Sequence, residues 1–117
     1  MKKLIFVSLL ALAFAQPAHA QDHSGHDMAM GDSPATEAYK AANAKMHEDM
    51  IVDYSGNADI DFIRGMIPHH QGAIDMARIV LEHGSDPEVE KLAEDIIAAQ
   101  EAEIAWMEQW LEAHPAE

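Results

Sequence analysis

Residues 60–83, IDFIRGMIPHHQGAIDMARIVLEH, combine a regular helical pattern with an unusual centre. Apolar side chains recur every three or four residues from Phe62 to Val80, which predicts one long helix with a buried face. The centre of this helix holds Pro68, two adjacent histidines and two glycines. A proline in a helix interior costs about 3 kcal/mol, and each glycine costs about 1 kcal/mol relative to alanine. We also expect the helix to bend at the proline. Such a cost indicates that the central residues serve a purpose other than helix stability.

Another helix is predicted before this segment. Ser33-Pro34 places a preferred capping residue before a proline at the first helical position, so the helix is expected to begin there. We expect it to run to about Tyr54, with Gly56 ending it in the left-handed conformation. Its apolar stripe consists of Tyr39, Ala42, Met46, Met50 and Tyr54.

Two cap signals divide the remaining sequence into a second and a third helix. Asn57 or Asp59 is expected to cap the second helix, which stops at Gly84. Ser85-Asp86-Pro87 repeats the cap-then-proline pattern and begins a third helix that ends near Ala113. Short loops make consecutive helices antiparallel neighbours, and no strand pattern competes.

The third predicted helix has an apolar arc that covers about half of its surface, which is more than one neighbouring helix would cover. We therefore predict an all-α domain over residues 34–114, an antiparallel bundle of three long helices that is closed or is completed by dimerisation. Gln100 and Glu103 lie inside this apolar stripe. They either orient imidazole rings from a neighbouring helix or specify how the helices pair.

The chain begins with a pattern typical of a secretory signal peptide. Residues 1–3 are positively charged, residues 4–15 form a short apolar run, and Ala18-His19-Ala20 matches a small-x-small cleavage site. The apolar run is too short for a comfortable membrane span. We expect residues 1–20 to be removed, which predicts a periplasmic or extracellular protein without a membrane span; the alternative is that they stay as an uncleaved anchor.

Charge and cysteine content limit the possible partners. The formal net charge is −14, and removing Lys2 and Lys3 leaves 5 basic against 21 acidic residues, a net charge of −16. This charge argues against nucleic acid and anionic membrane surfaces as partners. The chain has no cysteine, so a soft-metal site must use methionine and histidine.

Residues 21–33, QDHSGHDMAMGDS, are expected to form a mobile arm because they are polar, contain glycine and show no periodicity. The arm carries four possible metal ligands: His23, His26, Met28 and Met30. It is either a low-affinity collector of metal or an ordinary linker, since composition alone fits both roles.

Methionines and histidines recur at one-turn spacing on the first two helices. Residues three or four apart are neighbours on a helix surface. The second helix carries Met66, His69, His70 and Met76, and the first carries Met46, His47 and Met50. Antiparallel pairing is expected to bring Met46 and His47 towards Met66. A methionine stripe is often core filler, as Met107 alone would be read, but two histidines beside a helix-breaking proline favour a metal site.

The chemistry of these side chains favours copper. Thioether and imidazole groups together select copper, with Cu(I) preferring methionine and both oxidation states accepting histidine. Zinc more often recruits cysteine or carboxylate. A di-iron centre requires Glu-x-x-His on two helices, and that spacing does not occur in this sequence.

Residues 37–112 resemble a known family. The pattern Gly-Met-Ile-Pro-His-His-x-Gly-Ala, followed by Met-Ala, Gln-x-x-Glu-Ile and Met-x-x-Trp-Leu, is similar to that of the domain of unknown function 305. The upstream MHEDM belongs to the same resemblance, which implies a ferritin-like helical bundle and, in some members, periplasmic copper binding linked to copper tolerance. A bundle of this type uses four helices, whereas three are evident here. By position, the implied ligands are Met46, His47, Met50, Met66, His69, His70 and Met76, with Met107 as a further candidate.

Three functions are compatible with these observations. We expect a non-catalytic periplasmic protein that sequesters copper or hands it on to a delivery partner that the sequence does not identify. The alternatives are a copper-dependent oxidase of Cu(I) and a structural interaction module without metal. Added Cu(I) separates the last hypothesis from the first, because a ligand that binds the native state must raise its stability.

Overall fold

The computed structural model describes residues 31–115, which form three α-helices. Helix α1 spans Pro34–Asp49, α2 spans Ala58–His83 and α3 spans Pro87–Ala113. No strand occurs within these described residues. The all-α class with three long helices is thereby confirmed, while the predicted signal peptide and the arm up to residue 30 lie outside the described part of the chain.

Each helix begins at a side-chain cap that the sequence indicates. The Ser33 hydroxyl accepts a hydrogen bond from a backbone N–H three residues on, at 3.1 Å. The Asn57 and Asp86 side chains each accept two such bonds from the first turns of α2 and α3. These bonds satisfy N–H groups that have no partner inside the helix. The ends of α2 at His83 and of α3 at Ala113 also agree with the sequence prediction.

The end of α1 differs from the prediction. The helix stops at Asp49, five residues before the expected end at Tyr54. The Asp61 carboxylate of α2 accepts hydrogen bonds from the Ser55 N–H at 2.7 Å, the Ser55 hydroxyl at 2.8 Å and the Gly56 N–H at 3.1 Å. These bonds hold the connection in a non-helical path. Gly56 is left-handed as expected, with φ of 87°, but it lies in this loop rather than at the helix end.

Helix α2 lies between the other two helices. It packs against both α1 and α3, while α1 and α3 make no close backbone contact with each other within residues 31–115. The buried apolar side chains come from α2 and α3, and α1 contributes none. The antiparallel α2–α3 pair therefore holds the core, and the bundle is open on one side. The buried apolar residues are Ile60, Ile63, Ile74, Ala77, Ala93 and Met107.

Gly72 allows α1 to approach α2 closely. A Cβ atom at this position would lie 2.5 Å from the Met46 sulfur and 3.2 Å from the Met46 Cβ. Gly65 has open space around it, with no atom within 4 Å of such a Cβ. Only one of the two central glycines is therefore required by packing. Helix α2 runs without interruption through Pro68, so the predicted bend stays a prediction.

The open side of the bundle exposes large apolar side chains. Leu92 and Trp106 of α3 are each 58% exposed, and Phe62 of α2 is 62% exposed. An apolar groove of about 300 Å³ continues along this side. The predicted dimer is compatible with such a surface and stays a prediction. No helix within residues 31–115 has an apolar stretch long enough to cross a membrane.

Replacing the two central glycines by alanine should have opposite effects on stability. Gly65→Ala should raise the free energy of unfolding by about 0.5–1 kcal/mol, because alanine is the better helix former and the site is open. Gly72→Ala should lower it, because the methyl group displaces Met46 and overpacking typically costs about 1–3 kcal/mol. Urea unfolding of the mature protein measures both values. Equal stabilisation by the two substitutions would contradict the close α1–α2 contact.

The loop contacts of Asp61 predict a pH-dependent contribution to stability. The hydrogen bond from the Ser55 backbone N–H is the largest cause that lowers the Asp61 pKa below 3.8, and the Ser55 hydroxyl, the Gly56 N–H and the Arg64 charge add to it. A lowered pKa stabilises the fold fully above about pH 4, and this contribution disappears as pH falls through the lowered value. Asp61→Asn should therefore destabilise the protein at pH 7 and lose its effect in acid, as measured by urea unfolding at several pH values.

Asp59→Asn is the matched control for this substitution. Asp59 lies in the same first turn of α2. Within the described residues, its carboxylate accepts no hydrogen bond from the loop. Its replacement should change stability less than Asp61→Asn does at pH 7. A larger effect of Asp59→Asn would mean that the helix dipole, rather than the loop contacts, determines the pH dependence.

Candidate metal site

His70 is the buried polar side chain at the α2–α3 contact. Its residue surface is 9% exposed, whereas the side chain of its partner Glu103 on α3 is 63% exposed. The Nε2 atom of His70 lies in hydrogen-bonding contact with the Glu103 carboxylate. The carboxylate stays in contact with water, so the pair places an orienting group beside the imidazole without burying a charge.

The other ring nitrogen of His70 has no hydrogen-bond partner in the part of the chain that the structure describes. Its Nδ1 atom is buried and makes no hydrogen bond to any of residues 31–115. An ionised carboxylate only accepts hydrogen bonds, so a neutral ring keeps its proton on Nε2 and carries a lone pair on Nδ1. A buried polar atom without a partner costs about 1–3 kcal/mol. An unpaired imidazole lone pair in the interior is also the group that a metal ion binds.

A cavity of about 220 Å³ lies beside this ring, between α2 and α3. Its lining residues include two methionines, one histidine and one glutamate, and the surface that faces the cavity is almost entirely apolar. Met107 is 4% exposed and Met66 is half-buried. The cavity is lined by Phe62, Ile63, Met66, His70, Glu103, Trp106 and Met107. Its donors are therefore suited to a soft cation.

The α1 candidates lie elsewhere. Met46 is half-buried against Gly72 rather than beside Met66, six residues away on α2. This register follows from the early end of α1 at Asp49. His47 is exposed, as is Met50, which follows the last helical residue. Residues 31–115 contribute no α1 side chain to the cavity wall, and a ligand role for the α1 residues stays a prediction.

The remaining predicted ligands have different surroundings. His69 is exposed, and its ring lies 6.3 Å from the His70 ring in an edge-to-face orientation. Met76 lies in the apolar groove, where no imidazole is present. Four further candidates lie outside the described residues: His23, His26, Met28 and Met30.

The described part of the chain does not form a metal site from histidine and carboxylate side chains alone. Within residues 31–115, no three histidine, aspartate or glutamate side chains come together as a metal-binding group. From its spacing alone Met107 reads as core filler, the family resemblance makes it a further candidate ligand, and the sequence leaves the role of Glu103 open. The signal for both was their position in one stripe of α3, at residues 103 and 107, facing the apolar side of α2.

The amino-acid sequence matches a protein family and is similar to a viral protein. A family model described as a domain of unknown function (DUF305) matches residues 59–117. An uncharacterized protein of Acanthamoeba polyphaga mimivirus is 41% identical over 54 residues, which represent 46% of this chain and 36% of that protein. This chain thus covers well under two thirds of that relative. The family match spans half of the chain and includes α2, α3 and their cavity. The chain therefore belongs to the family of the domain of unknown function 305.

Proposed function

We propose that this protein is a non-catalytic periplasmic copper-binding protein that sequesters copper or hands it on, and so contributes to copper tolerance. The observation that carries the proposal is the buried Nδ1 of His70, which has no hydrogen-bond partner among residues 31–115 and belongs to a residue that lines a cavity together with Met66 and Met107. In this account copper is the cargo of the protein.

The donors fit copper better than other common metals. Thioether sulfur and imidazole nitrogen suit Cu(I), whereas magnesium and calcium require several oxygen ligands. Thioethers carry no proton that must leave, and they replace thiolates that would form disulfides in an oxidising compartment. The chain contains eight methionines and no cysteine, which agrees with this choice.

The cavity combines buried and exposed residues. Met107 and His70 are buried, so a bound ion would contact the protein interior on one side. Phe62, Glu103 and Trp106, which also line the cavity, are exposed, so the cavity is open to solvent. The strongly acidic chain raises the local concentration of cations. We infer that His69, which is exposed beside His70, and the N-terminal arm first capture copper before the cavity holds it.

Anaerobic titration with Cu(I) against a chromophoric competitor tests this proposal. Met66→Leu and Met107→Leu should each weaken the tightest site by about tenfold or more, which is about 1.4 kcal/mol per tenfold. Leucine nearly conserves the methionine volume, so the metal-free fold should lose less than about 1.5 kcal/mol. Loss of the fold with normal copper affinity in the folded fraction would instead identify these side chains as core packing.

Two matched variants make the titration specific. Met76→Leu changes a methionine on the same helix as Met66 but outside the cavity, and His83→Gln changes a histidine at the end of α2. Both should bind Cu(I) like the wild type. Equal weakening by Met76→Leu would place the site along the groove. A wild-type protein that does not compete for Cu(I) would contradict copper binding itself.

A further inference from the structure

We propose that Glu103 is a positioning residue that makes Nδ1 of His70 the metal-binding nitrogen and adapts the cavity to a monovalent soft cation. The inference rests on the proposed copper binding and identifies the atom and the charge state that the site selects. It starts from two separate observations, the contact of Nε2 with the Glu103 carboxylate and the unpartnered Nδ1.

The contact with Glu103 decides which nitrogen is free. The carboxylate holds the proton of the neutral ring on Nε2, so that nitrogen has no lone pair for a metal. Nδ1 then carries the lone pair at the α2–α3 contact, beside the cavity that Met66 and Met107 also line. Carboxylates often orient metal-binding histidines in this way, and their loss typically weakens metal binding by about 10–100-fold.

The charges of the cavity favour a monovalent ion. Two thioethers and a neutral imidazole contribute no charge, and Glu103 contributes one negative charge. A monovalent cation thus makes the cavity neutral, whereas a divalent cation leaves an unbalanced positive charge in apolar surroundings. Glu103 is 63% exposed, so water screens part of this effect. Glutamine at position 103 keeps a hydrogen-bond acceptor and removes the negative charge. The Glu103→Gln substitution therefore distinguishes the effect of orienting the His70 ring from the effect of neutralising the bound ion.

The opposite tautomer is the competing arrangement of the His70 ring. A proton on Nδ1 would leave Nε2, beside Glu103, as the metal-binding atom. The other buried side-chain atom without a partner among residues 31–115, Oε1 of Gln100, makes no hydrogen bond to Nδ1. The location of the ring proton in the metal-free protein distinguishes these arrangements.

The experiment uses 15N-labelled mature protein and Ag(I), a monovalent soft ion that does not undergo redox exchange in air. Long-range proton–nitrogen spectra should show His70 of the metal-free protein with its proton on Nε2. Added Ag(I) should shift the Nδ1 signal. A proton on Nδ1 before addition, or Ag(I) on Nε2, would overturn the inference while leaving soft-metal binding intact. Absence of Ag(I) and Cu(I) binding by the wild type would instead overturn the proposed function.

Three substitutions on α3 complete the test. Glu103→Gln should keep Ag(I) on Nδ1 and weaken its binding by roughly tenfold. Glu103→Leu should lose the preference for Nδ1 and weaken binding by up to roughly a hundredfold. Glu108→Gln, an exposed change on the same helix, should alter neither property. Unchanged affinity and an unchanged binding nitrogen in Glu103→Leu would show that Glu103 does not position the ring.

Discussion

The contact between α2 and α3 around His70 is the interaction on which the rest of the structure depends. These two helices supply every buried apolar side chain within residues 31–115, and the imidazole is the buried polar group between them. The Glu103 carboxylate lies on its solvent side, so the ring is oriented without a buried ion pair. The packed core and the buried ring nitrogen without a partner among residues 31–115 therefore lie in the same helix pair.

Helix α1 packs on the outside of this core and contributes no buried residue to it. Gly72 is the point at which Met46 of α1 approaches α2 most closely. The loop that follows is held by Asp61 rather than by apolar packing. A helix attached in this way can open locally at a lower cost than the α2–α3 pair. If the proposed copper binding is correct, its Met-His-x-x-Met sequence is placed for early capture and release of copper, and α2 and α3 provide the longer-lived site.

Sequence reasoning predicted most of the fold because capping and periodicity are local properties. Ser33, Asn57 and Asp86 mark the helix starts directly. The apolar stripe of α2 indicates its buried face, whereas the stripe predicted for α1 contains no buried residue. The end of α1 was missed because its cause is a contact with Asp61, which lies in the next helix. The pairing of α1 with α2 was displaced for the same reason. Contacts between helices depend on loop geometry, which periodicity does not report.

The candidate site was predicted in part. The pattern around Pro68 identified Met66, His69 and His70, but it did not show that the two adjacent rings have different surroundings. His70 is buried and His69 is exposed, since neighbouring helix positions differ by about 100°. The contribution of α3 required the structure, because Met107 alone is indistinguishable from core packing. The Pro-His-His segment thus places one ring inside and one outside, an arrangement that the proposed function uses for storage and capture of an ion.

The central claim is that one soft ion is held by two thioethers and one imidazole between α2 and α3. X-ray absorption at the copper edge tests it most directly, on anaerobic mature protein loaded with one equivalent of Cu(I). The account predicts a copper shell of two sulfur atoms and one nitrogen atom. A shell of nitrogen and oxygen atoms without sulfur would contradict it.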